Sequence, residues 1–158
     1  MFFSNMQWLF PVAVLLHNCE EAIWMPAWLV RHSGQLPVVP PGAGEIRGAL
    51  FVLVVAAFMV TYLSARNGRD SLWTYLLFGS IVTMLANVFV PHVPASVVFR
   101  AYTPGVVTAV LINLPLMSWL AVLAVRDRWV GGWRAAGFAA GVPMVIGGVV
   151  VALFWRLR

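Results

Sequence analysis

Five apolar runs, each long enough to cross a bilayer as a helix, decide what this chain can fold into. With about 18–20 consecutive apolar residues needed per span, the runs fall near 6–30, 48–65, 72–91, 103–125 and 133–156. A helix satisfies its own backbone hydrogen bonds even in lipid. The expected fold is therefore all-α: a polytopic membrane protein, a bundle of about five transmembrane helices forming a single domain over residues 1–158. Composition agrees, since 9% of the 158 residues are charged against about a quarter in a soluble domain.

Polar turns separate the runs. Arg66-Asn67-Gly68-Arg69-Asp70 is one, and Arg126-Asp127-Arg128 followed by Gly131-Gly132 is another. Thr103-Pro104 has the chemistry of an N-cap and first helical residue for the fourth span. Arg31 to Arg47 holds Pro37, Pro40, Pro41, Gly42 and Gly44, too much Pro and Gly for a helix, and is expected to form an extramembrane loop. Asn113 and Pro115 mark a kink in the fourth helix.

Lys is absent, and the ten basic residues, all Arg, give a net charge of +5. They sit singly or in pairs between apolar runs, as headgroup anchors do. The expected partners are thus membrane lipids, with no nucleic acid. Arg66, Arg69, Arg126, Arg128 and Arg134 fall on the N-terminal side; Arg31, Arg47, Arg100, Arg156 and Arg158 fall on the other. With five on each side the count gives no orientation; the loops of the first group are shorter and denser in Arg, which favours a cytoplasmic N-terminus. The tryptophans, Trp155 among them, gather near run ends as an interfacial belt, except Trp24, which can wall a pocket near Glu20. Gly137, Gly141, Gly147 and Gly148 in the last run predict close helix packing. That run, without a polar side chain between Arg134 and Arg156, is expected to be scaffold or the interface of a homo-oligomer. Cys19, alone in the sequence, excludes an intramolecular disulfide.

One run is not purely apolar. His17-Asn18-Cys19-Glu20-Glu21 lies inside the first, at roughly 2.5–3.5 kcal/mol per charged residue even on the lenient insertion scale. Such groups persist where they pair, bind an ion or do chemistry. On a helix both carboxyls flank His17, being three and four residues away, while Asn18 lies at the edge of that arc and Cys19 points away. The third run carries Ser80, Thr83 and Asn87 as one polar stripe, then Pro91, which weakens the last turn and can bring His92 inward. The fourth opens with Tyr102-Thr103-Pro104-Gly105 and then Thr108. At about 1.5 Å per residue, Glu20 and Glu21 lie a few ångströms past the middle of their span. Asn87 lies roughly 7–8 Å past the middle of its own, and Thr108 about as far before. In alternating spans all of these fall in the half facing the 31–47 loop, capped by His92, Arg100 and Tyr102. One shared pocket between the first, third and fourth helices is the expectation.

His17-x-x-Glu20-Glu21, Asn87 with His92, and Pro104-Gly105-x-x-Thr108 occur in the order seen in the HXXEE family of small bacterial integral membrane proteins, which this chain resembles over residues 17 to 108. The resemblance implies a polytopic protein of the bacterial cytoplasmic (inner) membrane whose matching residues form one site. It implies no substrate.

Three chemistries suit these residues. In the first, one divalent metal, zinc or iron, is bound by His17, His92 and Glu20 or Glu21, with a position open for water. The other glutamate is then the general base, and Asn87 an orienting or oxyanion-stabilising group. Glu20, Glu21, Asn87 and Thr108 form the expected catalytic set, acting by hydrolytic or acid–base chemistry on an apolar or lipid-like substrate. A two-iron oxygenase is poorly served by three histidines, His17, His32 and His92. In the second, Glu20 and Glu21 are a metal-free acid–base pair with divergent acidities, similar in spirit to the glutamate-activated intramembrane CAAX proteases but without the Arg of their motif. In the third, the same groups line a proton or metal-ion pathway.

Overall fold

The structure, a computed structural model, describes residues 2–36 and 39–156, with side chains as far as Val149. Pro37, Arg158 and the side chains of Trp155 and Arg156, which entered the sequence argument, lie outside the described residues. All regular structure among the described residues is helical.

The first apolar run becomes one helix, α2, Leu9–Arg31, and a short helix α1, Phe2–Met6, precedes it. Between the two helices lies the buried Gln7, whose side-chain oxygen accepts a hydrogen bond from Ser64 Oγ at 3.0 Å; Ser64 also meets the Thr74 hydroxyl at 3.0 Å. The exposed N-terminus of α1 is satisfied from elsewhere in the chain. Asp127 accepts the N–H groups of Phe2 and Phe3, each at 3.0 Å, which supplies the orphan donors of a helix start. Phe3 is buried against Trp129, with ring centroids 5.3 Å apart.

Helix α3, Ala43–Asn67, begins inside the stretch expected to be loop. The Glu45 carboxylate accepts the Gly42 N–H at 2.8 Å, the reciprocal half of a capping box. Gly44, Glu45 and Arg47 are thus helical, and a glycine in the first turn costs little where backbone donors are unpaired anyway. Helix α4 is Leu72–Asn87, with Ser71 Oγ accepting the Thr74 N–H at 3.2 Å as its N-cap. A wide π-type turn, Val88–His92, follows, and helix α5, Val93–Phe99, continues the chain. The third span therefore runs on beyond residue 91, bent at Val90, whose backbone is non-helical. Helix α6, Val106–Arg126, contains a second wide turn at Ala109–Asn113, just before Pro115. The expected start at Thr103-Pro104 is not the one observed: Gly105, at φ 89°, is the N-cap, and Thr103 instead bonds Ser96 Oγ at 2.6 Å. Helix α7 is Gly132–Arg156.

Helix α4 is central, packed against α3, α6 and α7, and α2 packs against α3. The glycine that permits close approach to α7 is Gly79 of α4. A Cβ there would lie 2.5 Å from Val142 Cγ2 and 2.8 Å from the Phe138 carbonyl oxygen. Gly137, Gly141, Gly147 and Gly148 meet nothing within 4 Å, so the expected packing role within the chain passes to the other helix. Among the described residues three helices are long and apolar enough to cross a membrane: α3, the continuous Leu72–Phe99 segment and α6. Helix α2 has the length, but its polar cluster lowers its hydropathy.

The connections group at two ends. The Asp70 N–H donates to the Trp129 carbonyl at 3.0 Å, and Asp70 pairs with Arg134 at 3.3 Å. At the other end the Trp28 indole donates to the Tyr102 carbonyl at 3.0 Å. Asp127 links the first end to acidity. The Phe3 N–H above all, opposed by desolvation and aided by Phe2 and Arg126, holds its carboxyl below the ordinary 3.8. A depressed acid stabilises the docked state fully above its unfolded value and loses that contribution as pH falls through the folded one. Hydrogen exchange of the 2–7 segment, corrected for intrinsic rate, should accelerate as pH drops below 3.8. Asp127→Ala should be fast at every pH.

Candidate functional site

Helix α2 presents His17 and Glu21 from consecutive turns. The bend after Asn87 brings His92 to the same point, and the N-terminal turn of α6 brings Thr108. His17 and His92 are 1% and 3% exposed, and their rings meet edge-to-face at 4.8 Å. The expected convergence of the first, third and fourth spans is thus observed, and Pro91 does precede an inward-facing His92.

The two glutamates part company. Glu21 is buried beside the histidines, its Oε1 lying 3.8 Å from His17 Nε2 and 3.5 Å from His92 Nε2. Glu20 turns to α6 instead. Its Oε2 accepts the Thr108 N–H at 2.9 Å and the Thr108 hydroxyl at 2.6 Å, and its Oε1 accepts the Tyr102 hydroxyl at 2.6 Å. The helix N-terminus attracts a carboxylate through both its free donor and its dipole. The expectation that both carboxyls flank the imidazole holds for spacing; the neighbouring helix then separates them.

These bonds fix the protons. A threonine hydroxyl has one hydrogen, and that of Thr108 is given to Glu20. Thr108 Oγ1 therefore accepts from His17 Nδ1–H at 2.8 Å, leaving His17 Nε2 unprotonated. The Asn87 amide nitrogen donates to that Nε2 at 3.3 Å and to His92 Nε2 at 3.0 Å. Both imidazoles thus turn unprotonated nitrogens toward the Glu21 carboxylate. One ligand atom from each of His17, Glu21 and His92 lies within 4.8 Å of the others. Three such donors, without a thiolate, form the type of set that holds zinc or iron(II).

Gly105 makes the geometry possible. A Cβ there would lie 2.5 Å from His92 Cε1 and 2.9 Å from His17 Cε1, and its φ of +89° is one L side chains rarely adopt. Beside the cluster, a cavity of about 670 Å³ is walled by Trp24, Trp28 and Val107, with Glu20 and Arg31 also on its lining. Trp24 is where the sequence placed it; Trp28 and Arg31 carried no signal beyond interfacial anchoring. Ser80 and Thr83 stay outside the site, each spending its hydroxyl on a carbonyl of its own helix, at 2.9 and 2.8 Å. Asn18 ties α2 to α3 through the Leu50 carbonyl at 2.9 Å. Arg100 ends α5 in a left-handed conformation, and Cys19 is exposed.

This is an all-helical protein with a buried His–Glu–His cluster assembled from three helical segments. The chain belongs to the HXXEE family: residues 8–120 match the family described as protein of unknown function with HXXEE motif. It is similar to "Uncharacterized protein YrkK" of Bacillus subtilis (strain 168), 33% identical over 110 residues, which are 69% of this chain and 68% of YrkK. No solved structure matches. The matched region includes the whole site and ends before α7.

Gly105→Ala should push the two rings apart and cost about 1–3 kcal/mol from backbone strain alone. Thermal unfolding of the detergent-purified protein reads the loss. Histidine NMR reads the site, where wild type should show the Nδ1–H form of His17 and the variant a mixture of tautomers.

Proposed function

We propose that this protein is a five-helix integral membrane protein of the bacterial cytoplasmic membrane. We infer that it is a metal-dependent enzyme acting by hydrolytic or acid–base chemistry on a lipid-like substrate. Membrane insertion is supported by the outward faces of the helices. Phe51, Val52 and Leu53 on α3 are 69%, 64% and 50% exposed, an apolar surface a water-soluble monomer does not carry. The relative from a bacterium and the paired loop ends support the location and the alternating spans.

The observation that carries the enzymatic reading is the convergence of His17 Nε2, His92 Nε2 and a Glu21 carboxyl oxygen, three potential ligand atoms within 4.8 Å of one another. They fit one divalent metal, zinc in preference to iron by affinity. A metal there would polarise a substrate oxygen or make a bound water more acidic. The surrounding residues have separable tasks. Glu20, through Thr108, fixes the His17 ring and its tautomer, as carboxylates behind metal-bound histidines do. With a metal held by the two imidazoles, Asn87 would no longer donate to them, and its amide would be available to orient a substrate oxygen. Glu20 and Thr108 also line the cavity, where Glu20 can hold or release a proton at the substrate. A lipid-like substrate is favoured because the cavity is apolar and opens between helices.

A second reading, acid–base catalysis without metal, is favoured by one observation. Tyr102, Glu20, Thr108, His17, Asn87 and His92 form a continuous chain of hydrogen bonds. Metal content separates the two. Elemental analysis after zinc supplementation should find about one equivalent in the wild type, as a three-ligand site holds. Glu21→Gln and His92→Ala should lose it, and Thr108→Val should weaken it by about 10–100-fold. Metal well under roughly a tenth of an equivalent overturns the metal reading in favour of the acid–base one. Topology has its own test: in a Cys19→Ser background, cysteines at positions 66 and 128 should be labelled from the same side of the membrane.

A further inference from the structure

Beyond the cluster itself, the cavity beside it is built to distinguish one end of a molecule from the other. Glu20, Trp24, Trp28 and Arg31 are spaced along α2 at four, four and three residues and all four line this cavity. They mark a stripe roughly 16 Å long at 1.5 Å per residue, from the buried cluster to the end of the helix. Its middle is apolar and rigid. The Trp28 indole is held by the Tyr102 carbonyl at 3.0 Å, stacked on His32 at 4.3 Å and met edge-on by Phe99 at 4.9 Å. Its two ends carry opposite charge.

The inner charge is already satisfied, since Glu20 accepts three hydrogen bonds from Thr108 and Tyr102. The outer charge is different. Arg31 and Arg100 have no carboxylate partner among the described residues. The Arg–carboxylate pairs found there, Arg126 with Asp127 and Arg134 with Asp70, are at the opposite end of the bundle. Arg47, at the same end as Arg31, is held at 3.2 Å by a backbone carbonyl, that of Ala22. On the cavity lining Arg31 is the one cation, at the outer end, and Glu20 the one carboxylate, at the base. About 670 Å³ is the size of a drug-like ligand, enough for one acyl chain laid along the stripe.

We propose that this cavity binds a single-chain amphiphile with a carboxylate headgroup, the head on Arg31, the chain along Trp24 and Trp28, and the far part of the chain beside Glu20. One guanidinium balances the charge of one carboxylate and can pair with it bidentately, whereas a doubly charged phosphate monoester would leave one charge unmatched. The inference deepens the lipid-like substrate proposed above: the bond acted on is remote from the headgroup, at the depth of Thr108 and the histidines.

Binding is tested on the detergent-purified full chain, stripped of metal with a chelator, so that the outcome is independent of the metal reading. Palmitate, hexadecanol and hexadecyl phosphate are compared by native mass spectrometry. Palmitate should bind about tenfold tighter than hexadecanol, the scale of one hydrogen bond to a charged group. Arg31→Gln, a change at an exposed position, should erase that preference and leave hexadecanol unchanged; Arg100→Gln should preserve it. Trp24→Ala should weaken palmitate and hexadecanol alike. Equal binding of acid and alcohol, or a preference that survives Arg31→Gln, overturns the proposal. Tighter binding of hexadecyl phosphate than of palmitate overturns the carboxylate assignment. Binding as proposed in a protein that holds no zinc would leave this inference standing while the metal reading fails.

Discussion

Carboxylates buried in an apolar helix must find donors, and the rest of this structure is arranged around that constraint. Helix α2 can satisfy its backbone alone, but it has no way to supply donors for Glu20 or a partner for the His17 Nδ1–H from its own turn. Their partners come from places where the other helices cease to be regular. The bend at Val88–His92 delivers His92. The turn through Gly105 exposes the Thr108 N–H. In an apolar surrounding, irregular backbone is tolerated where it is buried in protein or lines a cavity, and here both irregular turns border the same cluster. The second wide turn in α6 buries Asn113, whose side chain finds no partner; the structure gives no physical account of it.

The adjacency of Glu20 and Glu21 is resolved by geometry and not by sharing a proton. Side chains 100° apart on a helix can serve different neighbours, and α6 claims one while the histidine pair claims the other. The consequence is a division of labour: one carboxylate with the imidazole lone pairs, one behind them holding a ring in place. Thr108 is the hinge of this division because its single hydroxyl hydrogen decides which nitrogen of His17 is bare. A conservative loss of that hydroxyl would leave every ligand atom in place and remove only their orientation.

Much of the fold was legible because membrane-length apolar runs leave few alternatives. All the runs became helices, with ends shifted by local capping chemistry. Glu45 extended α3 backwards into an apparently Pro- and Gly-rich loop, and Gly105 displaced a start that Thr103-Pro104 seemed to provide. The site was legible in its members, since His17, Glu20, Glu21, Asn87, His92 and Thr108 are polar residues in apolar surroundings at matched depth. Glycine was harder to interpret. The four glycines of α7 formed a visible pattern yet face open space, whereas Gly79 and Gly105 make the close contacts. A glycine's role depends on what stands opposite it, and that information is not local.

The sequence by itself determined that the chain is helical, that it presents apolar surface outward, and that one polar cluster must be shared between helices. Those follow from hydropathy, helical period and rise per residue, which are properties of single segments. Only the tertiary structure decided which glutamate joins the histidines, which imidazole nitrogens carry protons, and that Trp28 and Arg31 border the cavity. Each of these depends on the rotation of α2 against α6 and on the bend after Asn87. Such relations between segments are fixed by packing in three dimensions, and no spacing within one helix encodes them.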